Sequence, residues 1–95
     1  MIRYIVLVKF TEQGLKNLKK STTRAAAFRE AASKAGVEVE AQYWTVGPYD
    51  GFVVLRSEQE GNILRAIAAL AIEGNVRTHS LRTLDAKEFE SVAGK

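Results

Sequence analysis

The 95-residue sequence has no cysteine, and it is poor in several other informative residue types, with one proline, one histidine, one tryptophan and one methionine. Without cysteine there is no disulfide, no iron–sulfur cluster, no cysteine-ligated zinc and no thiolate nucleophile. A phosphate-binding loop, a dinucleotide-binding glycine motif, a catalytic triad and a zinc-ligand spacing are also missing. We therefore expect no cofactor and no metal site.

Long apolar runs are absent as well. The apolar stretch of the first strand lasts only about five residues before Lys9, too short for a signal peptide or a membrane span. A cytoplasmic location without a membrane partner is the expectation. The densest basic group, Lys16, Lys19, Lys20 and Arg24, is interpreted as a solvated helix face, so no nucleic-acid partner is expected.

The sequence does contain the patterns of a small α+β domain, taken as residues 1–95. Four segments rich in β-branched and aromatic residues predict strands at 2–10, 37–46, 51–56 and 75–84. The first and third are apolar on both faces, which is typical of central strands, whereas the more polar second and fourth suit sheet edges. In the second strand, simple alternation places Val37, Val39, Ala41, Tyr43 and Thr45 on one face, and Glu38, Glu40, Gln42, Trp44 and Val46 on the other.

Helical spacing fills the gaps between these strands. Apolar residues from Leu15 to Ala35 form one stripe, with Ser21 as the predicted cap of its main part and Gly36 at its end. Residues 57–60 have the spacing of a capping box before a second helix, which ends at Gly74. Residues 85–88 repeat that spacing before a short third helix, which we expect to dock through Phe89 and Val92.

The order β-α-β-β-α-β predicts a ferredoxin-like fold, with a four-stranded antiparallel sheet and two helices on one face. The other face would leave the apolar centres of two strands exposed. We therefore expect a homodimer that pairs these faces as a dimeric α+β barrel, with a higher homo-oligomer as an extension of it. The alternative is a monomer whose open face is covered by the C-terminal helix.

Several motifs resemble the GYD domain family of small bacterial and archaeal proteins, which is part of the dimeric α+β barrel superfamily. The motifs are Lys9-Phe10-Thr11-Glu12-Gln13-Gly14, Lys19-Lys20-Ser21 with Arg24, Gly47-Pro48-Tyr49-Asp50, Gly74-Asn75-Val76-Arg77-Thr78 and Leu81-Arg82. The resemblance runs through residues 1–84 and implies the fold and the dimer. Arg56, where the family commonly has an acidic residue, and His79 depart from the family pattern.

Candidate site residues form two predicted groups. Tyr49 and Asp50, at the turn between strands two and three, are expected to lie near Arg3 and Arg82, where they would bind a polar substrate or shuttle a proton. The alternative for Asp50 is a turn acceptor or an arginine partner. The second group is expected at the opposite end of the sheet and gathers Lys9, Thr11, Gln13, Gly14 and Arg77.

Each remaining candidate also has a structural alternative. Lys9 would be a buried base or anion anchor, or would extend to solvent at the rim. Arg77 would bind an anion, or pair with Glu12, Glu38 or Glu40. His79 would be a general base or haem ligand, or a solvated edge-strand residue.

Tyr4, Tyr43 and Trp44 would line a cavity between facing sheets, or pack the interface directly. The sequence thus favours a small-ligand binding or sensory module acting as a homo-oligomer. A cofactor-independent enzyme of the monooxygenase or isomerase type and a purely structural oligomerisation protein are the alternatives. The sequence alone does not decide whether the chain is an enzyme.

Overall fold

The structure, a computed structural model, describes residues 1–94 and has the α+β order of elements that the sequence predicts. The strands are β1 (Ile2–Phe10), β2 (Glu38–Trp44), β3 (Gly51–Ser57) and β4 (Val76–Thr83). The helices are α1 (Glu12–Lys16), α2 (Ser21–Lys34), α3 (Glu60–Glu73) and α4 (Ala86–Ala93), and a 3-10 turn at Leu18–Lys20 leads into α2.

The strands form one antiparallel sheet in the order β2-β3-β1-β4. The two strands that are apolar on both faces therefore occupy its centre, as predicted, and the arrangement is compatible with a ferredoxin-like fold. Val8 pairs with Gly51 of β3 and Thr78 of β4. This register places the end of β1, the β2–β3 hairpin and the start of β4 at one end of the sheet, called here the hairpin end.

The core lies between one sheet face and the helices α2 and α3. Val6 and Leu55 from the central strands and Ile63 from α3 are fully buried. The remaining buried apolar residues are Ala32, Val37, Val39, Val53 and Ala66. The helices α2 and α3 both pack on this face of the sheet, called here the helix side, so the molecule is a slab about two layers thick.

A β-bulge in β2 changes which side chains share a face. Val39 pairs with Leu55 and Ala41 with the next residue of β3, Val54, so Glu40 is the extra residue between them. The simple alternation predicted for this strand is therefore wrong beyond Val39. Ala41 and Tyr43 lie on the face away from the helices, and Gln42 and Trp44 lie on the helix side.

Two predicted helix caps are replaced by other contacts. Ser21 is the first residue of α2 rather than its cap, and its Oγ accepts a hydrogen bond from Trp44 Nε1 at 2.9 Å. Ser57, predicted to cap α3, is the last residue of β3 and is 2% exposed. Its Oγ donates to the Gly36 carbonyl at 2.8 Å and accepts from the Gln59 N–H at 3.2 Å, so it fastens the end of α2 to the start of α3.

The other helix ends follow the sequence pattern. Gly36 and Gly74 follow α2 and α3 with φ of 82° and 79°, a left-handed conformation that costs glycine little. Asp85 caps α4 in a capping box with Glu88, as predicted. The expected docking of α4 is wrong, however, because Phe89 and Val92 are 59% and 73% exposed. Its apolar side chains are therefore not used against the sheet.

Candidate functional site on the open sheet face

The sheet face away from α2 and α3, called here the open face, carries half-buried and exposed apolar side chains together with charged ones. Strand register assigns to it alternate residues of each strand: Arg3, Ile5, Leu7 and Lys9; Glu38, Glu40, Ala41 and Tyr43; Phe52, Val54 and Arg56; Arg77, His79, Leu81 and Thr83. Its centre is apolar, and its two ends are charged.

The apolar centre lies on the two middle strands and one residue of β4. Ile5 pairs with Val54 on one side and with Leu81 on the other, and Leu7 pairs with Phe52. Leu81 is 49% exposed. Apolar side chains in such a continuous patch stabilise a protein only when another surface removes them from water.

An aromatic group continues the patch towards the hairpin end. The Tyr43 and Phe52 rings lie 5.6 Å apart, and Tyr43 is 62% exposed. The Tyr49 and His79 rings meet edge to face at 5.5 Å. His79 is exposed on the edge strand β4, as the solvated alternative of the sequence analysis describes.

Lys9 and Arg77 lie directly opposite each other at the hairpin end of the open face. Both are exposed. Within residues 1–94 neither forms an ion pair, since Glu12 pairs with Lys16 and the β2 glutamates pair with other arginines. Like charges in direct opposition across two strands are unfavourable, so this corner has unused capacity for an anionic group.

Asp50 does not lie near Arg3 or Arg82, which corrects the predicted grouping. Antiparallel pairing brings the hairpin to the end of β1, where Asp50 Oδ2 accepts from the Phe10 N–H at 2.8 Å. The Asp50 N–H also donates to the Val8 carbonyl at 2.9 Å. Asp50 thus extends the hydrogen bonding of β1 at its end, and Tyr49 and Asp50 share this end with Lys9 and Arg77.

The opposite end of the open face holds a network that the sequence analysis missed. Glu40 accepts hydrogen bonds from Arg3 Nε at 2.8 Å and from Arg56 Nη1 at 3.1 Å. The hydrogen bond from Arg3 lowers the pKa of the Glu40 carboxyl, and Arg56 lowers it further. The same bond raises the pKa of Arg3. Alternation already places Glu40 on this face beside Glu38, but its contacts with Arg3 and Arg56 depend on strand register, which alternation does not supply.

The pKa of Glu40 gives a pH-dependent prediction. Because its folded-state pKa is below the ordinary value of 4.5, the carboxylate stabilises the fold above that pH, and its contribution is lost as pH falls through the folded value. Glu40→Gln should therefore lower the urea midpoint at pH 7 and have no such effect at strongly acidic pH. Glu30→Gln, which removes an exposed carboxylate paired with Lys34, is the control and should change the midpoint little. A difference in urea midpoint between Glu40→Gln and wild type that stays the same from pH 7 to strongly acidic pH would contradict the lowered pKa of Glu40.

Arg82 and Trp44, two other predicted site residues, lie on the helix side. Arg82 Nε is 3.9 Å from Glu60, whose Oε2 also accepts from the Tyr4 hydroxyl at 2.7 Å and so raises the pKa of Tyr4. Trp44 is near the start of α2 through its bond to Ser21. Tyr4 and Trp44 therefore do not line the open face with Tyr43.

The side chains on this face can make apolar contacts and ion pairs. No group of three or more His, Asp or Glu side chains within residues 1–94 is placed to hold a metal ion. In the same part of the chain, no helix combines the length and the apolar character that a membrane crossing requires. The open face offers an apolar centre, an aromatic border and the two opposed cationic side chains of Lys9 and Arg77.

Comparison with known proteins agrees with the sequence resemblance. The GYD domain family profile matches residues 4–93. A curated relative from Thermus thermophilus, described as "Glutamine synthetase and cystathionine beta-lyase binding protein", is 34% identical over 85 residues, which cover 88% of this chain and 90% of the relative. The crystal structure of TTHA0845 from the same species matches with a TM-score of 0.56 and 25% identity, over 90% of this chain and 96% of that one. The chain belongs to the GYD domain family.

Proposed function

We propose that this chain is a homodimeric binding module that associates with other proteins, and that two copies pair through their open faces. The observation that supports this most strongly is the apolar centre of the open face, which neither α2 nor α3 covers and which has charged residues at both ends. A surface of this kind is rarely left in contact with water by a soluble protein.

The total exposed area supports a second copy as the occupant of that face. The protomer exposes 6450 Å². A compact monomer of 10.5 kDa is expected to expose about 5,400 Å². The excess of about 1,000 Å² is close to the ~800 Å² that each partner buries in an interface of standard size.

The molecular dimensions also support a second copy on the open face. The radius of gyration is 14.0 Å, against about 12.5 Å for a compact chain of this length. The shortest extent is 18 Å, that of a two-layer slab. Stacking two such slabs with twofold symmetry makes the same patch self-complementary and places both apolar centres in one core.

The proposal that the dimer binds other proteins comes from the relative in Thermus thermophilus. That protein is named for its binding to glutamine synthetase and cystathionine beta-lyase, and it aligns with most of this chain. When the open faces are paired, the outer surface that remains includes α2 and α3. Ile72 of α3 is a large apolar residue exposed there, at 84%.

Mixing experiments test the binding function. Glutamine synthetase and cystathionine beta-lyase from the organism that encodes this chain are each combined with it, and the mixtures are followed by sedimentation velocity. We expect the chain to co-sediment with at least one enzyme in a fixed ratio. Failure to bind either enzyme, while the chain remains dimeric, would contradict the proposed binding of these proteins.

A further inference from the structure

A small cavity lies on the helix side of the sheet at the hairpin end, on the other side of the sheet from the open face. Its volume is about 90 Å³, and its lining includes residues from the start of α2 and the end of α3. Most of the lining is apolar, from Val8, Phe10, Ala25, Phe28, Val53 and Leu70. The polar lining residues that matter for a ligand are Ser21, Arg24, Trp44, Asp50 and Glu73.

Two of these polar residues have unused binding capacity. Arg24 donates one N–H to the Asn17 carbonyl at 2.7 Å, which leaves most of its five donors free. Within residues 1–94, neither Arg24 nor Glu73 belongs to an ion pair. In contrast, Asp50 is bonded to the Phe10 N–H, and Trp44 is bonded to Ser21.

The opposite charges come from different elements. Arg24 lies in the first turn of α2, and Glu73 is the last residue of α3. Both line the same cavity, as does Asp50. A ligand with a single charge would satisfy one of them and face the other unfavourably, whereas a zwitterion complements both.

We propose that this cavity binds a small apolar α-amino acid. Its carboxylate pairs with the free guanidinium N–H groups of Arg24, and its ammonium group faces Glu73. The side chain enters the apolar part of the cavity. The volume of about 90 Å³ is below the ~150 Å³ of a cavity that holds benzene, so a branched chain of about four carbons suits it better than an aromatic ring. This site is independent of the proposed dimer contact.

Trp44 provides a direct readout because it is the only tryptophan and it lines the cavity. Titration of the full chain with L-leucine should change its fluorescence in a saturable way, with a dissociation constant of about 1 mM. Isovalerate and isoamylamine, which lack the ammonium or the carboxylate group, should bind at least about tenfold more weakly. L-phenylalanine should bind more weakly than L-leucine, because its ring is larger than the apolar part of the cavity.

Substitutions then assign the charges. Arg24→Gln and Glu73→Gln should each weaken leucine binding at least about tenfold. The matched controls are Lys34→Gln and Glu30→Gln. Both residues are charged and lie in α2, as Arg24 does, but neither lines the cavity, so both variants should bind leucine like wild type. Ala25→Leu should abolish binding by filling the cavity, with the circular dichroism spectrum retained.

Two results would overturn the proposal. One is the absence of a saturable leucine response in folded wild-type protein. The other is equal binding of leucine and isovalerate, since the ammonium group would then contribute nothing. A dimer that fails to form would bear on the proposed function alone, because the cavity belongs to a single protomer.

Discussion

Leu81→Glu should convert the homodimer into a monomer, whereas Leu64→Glu should leave it a dimer. The two leucines have the same exposure in the protomer, 49%. Leu81 lies in the apolar centre of the open face opposite Ile5, and Leu64 lies on α3. Comparing the two variants therefore separates a charge placed in the proposed dimer contact from the general effect of a new surface charge.

The expected effect is large because the glutamate would be buried twice, once in each copy of a twofold interface. An unpaired charge at the centre of an interface costs several kcal/mol, and a loss of about 2.8 kcal/mol already weakens association about 100-fold. Sedimentation equilibrium of both variants and wild type at equal concentrations measures this. Equal masses for the two variants, with circular dichroism showing both folded, would exclude the open face as the contact.

Gly14→Ala should cause a large loss of stability for the addition of a single carbon atom. Gly14 is buried in α1, and a Cβ there would overlap the Asn75 carbonyl oxygen and approach Phe10 Cδ1 at 3.3 Å. That carbonyl accepts from the Thr11 N–H at 3.1 Å, and Thr11 Oγ1 donates to the Gly74 carbonyl at 2.6 Å. The close packing joins the end of β1 to the start of β4.

The cause is steric, since Gly14 is not among the residues with positive φ. Overpacking of this kind costs about 1–3 kcal/mol and occasionally more, and we expect the upper part of that range because backbone must move. Gly61→Ala is the control, because its Cβ would meet only the end of the Arg65 side chain at 3.5 Å. In helix α3 that change should be neutral or stabilising by up to about 1 kcal/mol. Urea unfolding of both variants at one protein concentration provides the comparison, and equal midpoints would contradict the packing account.

The periodicity of the sequence was sufficient to predict the strands, the main helices and their arrangement in two layers. The double-sided apolar character of β1 and β3 follows from their central position, and this agreement between pattern and topology carried the fold prediction. Gly36 and Gly74 marked helix ends because the left-handed conformation favours glycine.

The predicted site was less accurate because it depended on register. The bulge at Glu40 has no glycine or other local signal, yet one extra residue exchanges the faces of every later side chain in β2. That exchange moved Trp44 to the helix side and Tyr43 to the open face. The placement of Asp50 failed for a different reason, since antiparallel pairing takes the hairpin to the end of β1 rather than to its start.

Ser57 and Phe89 show the limit of local motifs. Ser57 has the spacing of a helix cap, but its hydroxyl instead bridges two chain segments in the core. Phe89 belongs to an amphipathic helix with a good cap, and its ring remains 59% exposed. In both cases the tertiary surroundings decide the role, and a pattern of a few residues does not contain them.

The mass of the wild-type chain in solution tests the central claim most directly. Sedimentation equilibrium at about 1–100 µM should give twice the chain mass of 10.5 kDa, as expected when each copy buries an area of standard size. A single species of 10.5 kDa across the same range would contradict the pairing of the open faces.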